Sequence, residues 1–229
     1  MKPFLFCLIL LMSSHLVAQQ VIYSEPEKND KAVLQFDIIG KMDEQFLIYK
    51  YSRNRQELAI YGKDMQLVQS TDLTFLPDKI IDFDFLLFRD HFYMYYQYQR
   101  NRTVFCSYAD IGPTGKLLRQ PLILDSTEIS FFSSNRIYAV VSSEDKNKIL
   151  VSRRSVKSGT LDLTALLFDS AMNQLSRWHH EVRGYQRKVQ FSELSVDNFG
   201  RFAFTATPRK GLSDYADQLD LLVQQPGKD

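Results

Sequence analysis

The chain has 229 residues, with 28 basic and 27 acidic side chains, 13% aromatic residues and 9 glycines. So balanced a charge leaves nothing global to steer it to nucleic acid or to an anionic membrane surface. The aromatic content and sparse glycine exclude the disordered and collagen-like classes.

In chain order, Lys2 precedes an apolar run at 4–12, followed by Ser13, Ser14 and the small residue Ala18. This pattern is that of a secretory signal peptide at 1–18. The run is shorter than the roughly 20 residues a membrane span needs, so the mature chain is expected to be exported, to the periplasm, cell surface or medium, without a transmembrane helix. Cys7 lies inside the leader and Cys106 outside it, so no intramolecular disulfide is available and the fold must rest on packing. Residues 19–30 read as a connecting segment and 31–229 as one β domain.

The stretch 83–110 carries the clearest strand signal. Phe92, Met94, Tyr96 and Tyr98 fall on one face of an extended chain, and Tyr93, Tyr95, Gln97 and Gln99 on the other. Bulk on both faces predicts a strand covered on both sides. Arg100, Asn101 and Arg102 then mark a tight turn, Asn being tolerant of left-handed backbone.

Related landmarks recur. The turns Arg53-Asn54-Arg55, Arg100-Asn101-Arg102 and Lys146-Asn147-Lys148 stand about 46 residues apart. Phe46, Phe92 and Tyr138 begin the strands before them, and Ile39, Phe85 and Phe131 mark a preceding apolar strand. Residues 114–126 also align without gaps on 158–170. A period in the mid-forties filled by four short strands suits a β-propeller blade. The expected fold is therefore all-β, a propeller-like array of four-stranded antiparallel blades at 31–75, 79–126 and 128–182. A fourth, unfinished blade starts at Phe191. A two-sheet β-sandwich is the alternative.

The stretches SSEDKNKILV (142–151), LLFDSAMNQLSRWHHEV (166–182) and SVDNFGRFAF (195–204) resemble a family of large, exported bacterial proteins built from β-propeller repeats. Members are considerably longer, which implies that this chain corresponds to an N-terminal or shortened portion. The resemblance implies the fold and an envelope location. It carries over no catalytic residue.

Candidate sites are few. His179 and His180 are strand neighbours and point to opposite faces, so they do not make a metal site. Cys106 lacks a nearby base and reads as a buried hydrophobe. No cofactor or metal is expected. If equivalent turns line one rim, Arg53, Arg55, Arg100, Arg102, Lys146 and Lys148 form a basic ridge that could bind an anion or a partner.

Two function classes follow: a non-catalytic interaction or scaffold protein of the cell envelope, or an envelope enzyme acting on glycans or peptides. The enzyme would use carboxylates such as Asp82 and Asp84, which share a strand face. The expected partner is another envelope protein or a further copy of the chain, completing the array.

Overall fold

The computed structural model describes residues 21–23, 35–52, 55–130, 134–157, 160–183, 189–192, 194–208 and 219–225. The leader, Arg53, Asn54 and Phe131 lie outside them. The described chain folds into four antiparallel sheets. Strands β1 (Gln35–Met42), β2 (Gln45–Ser52), β3 (Arg55–Tyr61) and β4 (Leu67–Asp72) form the first, in chain order. The second holds β5 (Asp82–Leu87), β6 (Phe92–Arg100), β7 (Thr103–Ile111) and β8 (Leu122–Glu128). The third holds β9 (Tyr138–Ser142), β10 (Lys148–Lys157), β11 (Thr160–Asp169) and β12 (Gln174–Arg183).

The fourth sheet is organised differently. Strand β15 (Phe202–Pro208) is flanked on one side by the short strands β13 (Val189–Phe191) and β14 (Ser195–Val196), and on the other by β16 (Asp220–Gln224). β13 and β14 bond to successive parts of β15, so together they fill one strand position.

Consecutive sheets pack face to face, giving an open, propeller-like array. Phe92, Met94, Tyr96 and Tyr98 meet Leu47, Tyr49, Leu58 and Ile60 of the first sheet. On the reverse face, Tyr93 and Tyr95 join Ile149, Val151, Leu166 and Phe168 of the third. The two-sided bulk of β6 is thus a central layer between two cores. Phe83 stands edge-on to Tyr49 and Tyr51, with ring centroids 4.9 and 5.2 Å apart, and such pairs add about 0.5–1.5 kcal/mol each beyond burial. Between the third and fourth sheets, Leu150, Ala165 and Leu167 meet Val196 and Phe202. Among the described residues no helix is long and apolar enough to cross a membrane.

The hairpins are of two kinds. β6 and β7 are joined by a two-residue turn, Arg100 pairing with Thr103 and Asn101 taking a φ of 54°. The turns at 62–66, 112–116, 169–173 and 197–201 are longer, and their fourth residue (Met65, Gly115, Met172 or Gly200) has positive φ. Gly115 is required twice over, because an added Cβ would also lie 3.1 Å from Leu58 of the neighbouring sheet. The 143–148 turn belongs to this wider kind, with Lys146 at a φ of 59°.

That difference corrects the alignment of the third sheet. Phe46 and Phe92 lie in second strands, whereas Tyr138 begins a first strand, β9. The described residues between β8 and β9 form a connection rather than a strand. Residues 114–126 span a turn and the fourth strand β8, while 158–170 contain the third strand β11, so their similarity does not reflect equivalent positions. Alternating apolar residues are common to all these strands, and a gapless match between two of them does not fix their order.

Candidate functional site

The polar residues that the fold brings together lie on the face of the third sheet that meets the second. On β10, Arg153 follows Val151 on that face; on β11, Asp162 and Thr164 precede Leu166; on β12, Arg177, His179 and Glu181 alternate with residues facing the fourth sheet. Asp125 reaches the same place from β8 of the second sheet.

Arg153 is the hub. Its Nη1 donates to Asp125 Oδ2 at 2.6 Å, and its Nη2 donates to Thr164 Oγ1 at 2.9 Å and Asp162 Oδ1 at 3.2 Å. The Arg153 and Asp125 side chains are only 10% and 7% exposed. Burial opposes the guanidinium charge, yet Asp125 and Asp162 together hold its pKa above the ordinary value. The Tyr138 hydroxyl donates to Asp125 Oδ2 at 2.9 Å, and burial followed by the Asp125 charge pushes its pKa up. Arg177 stands 3.6 Å from Asp125 Oδ1 at the solvent edge.

Beyond Arg153 the face opens to solvent. His179 Nδ1 lies 3.3 Å from Thr164 Oγ1 and 3.8 Å from Asp162 Oδ2, while its Nε2 lies 3.8 Å from Glu181 Oε1. His180 is on the reverse face, stacked on Trp178 with centroids 5.5 Å apart. The adjacent histidines do point apart. What the chain order hides is the cross-strand register, in which His179 faces Thr164 and Glu181 faces Asp162.

A cavity of about 490 Å³ borders this region and is lined in part by Asp82, Asp84, Arg136, Arg153, Thr164 and Trp178. Asp82 accepts from Arg136 Nε at 2.7 Å and from Gln97 Nε2 at 3.4 Å. Asp84 is exposed two residues further along β5. A larger cavity, about 780 Å³, lies beside Arg55, Asp72 and Lys79 of the first sheet; there Arg55 is already paired with Glu57 at 2.7 Å and Asp72 at 3.1 Å.

The basic turns do not form one row. Arg53 lies outside the described residues, and Arg55, Arg100 and Arg102 flank hairpins between second and third strands. Lys146 and Lys148 belong to a hairpin between first and second strands, at the opposite end of the sheets. The tertiary contacts agree: Lys146 Nζ donates to Leu87 O, before the start of β6, whereas Gln99, at the far end of β6, accepts from Asn135. At about 3.3 Å per residue, β6 separates the two groups by roughly 25–30 Å. Arg100 packs over the Tyr98 ring at 5.4 Å, and Arg102 is exposed.

Cys106 is 1% exposed in the core between the second and third sheets. Burial, with smaller effects of Asp125 and Asp84, pushes its thiol pKa up, so thiolate is suppressed. In native protein at about pH 8, a thiol reagent should leave Cys106 unlabelled by peptide mapping, with full labelling only in denaturant. Rapid native labelling would show that this core opens.

Comparison of the chain with protein-family models, curated proteins and solved structures finds no match.

Proposed function

We propose that this chain is a non-catalytic envelope protein that works by docking, its β-propeller-type repeats offering an open sheet to a partner β-protein or to a second copy. The observation that carries this reading is the outward face of the fourth sheet. Phe204 and Leu222 point inward to the third sheet, while Leu221 and Val223 point outward and are 64% and 58% exposed. Among the described residues β16 pairs only with β15. An apolar strand at the edge of a sheet is suited to accept a further strand.

The leader read at 1–18 and the resemblance to exported propeller-repeat proteins support an envelope location. The ion pair of Asp82 with Arg136 supports a non-catalytic role, because its Oδ2 is already taken by a protein partner at 2.7 Å.

The test compares the wild-type chain with a Leu221→Lys, Val223→Lys variant. Light scattering after size exclusion should show self-association, or immobilised protein should retain a defined component of envelope extract, and the double variant should abolish whichever is seen. A wild-type monomer that retains nothing, or retention unchanged in the variant, overturns the reading.

A further inference from the structure

The geometry points to a divalent metal site on the third sheet, formed by Asp162, His179 and Glu181 and suited to a borderline ion such as Zn²⁺. One donor atom from each residue lies within 4.8 Å of the other two. The residues occupy adjacent antiparallel strands on one face, with Asp162 opposite Glu181 and His179 two positions before Glu181. Three donors so placed form one triangular face of a coordination shell and leave the solvent side for water.

The surroundings prepare these donors. Asp162 Oδ1 is engaged by Arg153 Nη2 at 3.2 Å, while Oδ2 is turned to His179. The Nδ1 side of the imidazole meets Thr164 Oγ1 at 3.3 Å, and Thr164 is 2% exposed and held by Arg153. A proton on Nδ1, shared with Thr164 Oγ1, places the lone pair on Nε2, which faces Glu181 Oε1 at 3.8 Å. Metal–donor bonds of about 2 Å set donor separations near 3.3 Å in a tetrahedral site. His179 and Glu181 are 47% and 50% exposed and have room to close that gap.

Charge allows it. Arg153 makes its shortest contact, 2.6 Å, with Asp125 and reaches Asp162 only at Oδ1, 3.2 Å away, which leaves Oδ2 for a metal. Two carboxylates and an imidazole favour Zn²⁺ over Ca²⁺ or Mg²⁺, which prefer all-oxygen shells.

The test is calorimetric titration of Zn²⁺ into the tag-free chain, with Co²⁺ absorption as a second readout. Wild-type protein should bind one equivalent at this site. His179→Ala and Glu181→Gln should each weaken it at least tenfold and remove the Co²⁺ band, whereas His180→Ala should change affinity less than twofold. Circular dichroism verifies that each variant is folded. No saturable binding, or binding equal in His179→Ala and wild type, overturns the proposal.

Discussion

Replacing Arg153 by methionine is expected to destabilise the protein by about 3–5 kcal/mol, seen as a lower midpoint in urea unfolding. The change strips the partner from Asp125, which is 7% exposed and receives its 2.6 Å hydrogen bond from Arg153. It also removes the donor that fixes Thr164 and Asp162. A buried carboxylate without its cation loses far more than the pair contributes net, since taking both charges from water offsets most of their attraction. Arg153 Nε, buried and without an acceptor among the described residues, limits that net contribution further. Two controls follow. Arg177→Met should change stability by less than about 1 kcal/mol, because Arg177 is 51% exposed and 3.6 Å from Asp125. The double change Arg153→Met, Asp125→Leu should lose clearly less than the sum of its single changes, which is the mark of a shared network. Additive losses would show that Asp125 and Arg153 do not depend on each other.

The sequence carries the architecture better than the site. Phe92 to Tyr98 announce a strand covered on both sides because every position is bulky, and period two alone sorts them onto the faces that the first and third sheets cover. Residues 195–225 likewise reveal a strand, a tight turn and further strands through Asp197, Gly200 and the apolar runs around them. The ridge failed because RNR and KNK look alike but close different turns, one of two residues with Asn101 left-handed, the other wider with Lys146 left-handed. Turn composition does not say which strands a hairpin joins. The Asp162, His179 and Glu181 cluster was legible only in part. Period two puts His179 and Glu181 together, but Asp162 joins them through the pairing register of β11 with β12, and that register is fixed by packing and turn length.

Gln97 is the second position where a single substitution should have a large effect. Its neighbours on the same face, Tyr93 and Tyr95, pack into the apolar core against the third sheet, yet Gln97 is polar and only 4% exposed. The reason lies in β9, the edge strand of the third sheet. Tyr138 turns its backbone N–H and C=O away from β10, and an edge strand buried against another sheet needs partners for such groups. Gln97 supplies them as a substitute for a neighbouring strand. Its Oε1 accepts from Tyr138 N at 3.1 Å and Ile137 N at 3.2 Å, and its Nε2 donates to Tyr138 O at 2.7 Å. Gln97→Met keeps the volume, so little cavity forms, but it leaves these backbone groups buried without partners. The expected loss is at least about 3 kcal/mol in urea unfolding, from three unsatisfied groups at about 1–3 kcal/mol each. Amide exchange at Ile137 and Tyr138 should quicken more than at Ile149 or Leu166, deeper in the same core. Gln99→Met, which removes only exposed contacts, a 2.7 Å bond to Asn101 O and a 3.0 Å bond from Asn135, should be nearly neutral. Equal effects at the two glutamines would mean that β9 is held by its apolar contacts alone. A loss confined to Gln97 would show that the junction of the second and third sheets depends on one side-chain amide acting as a strand.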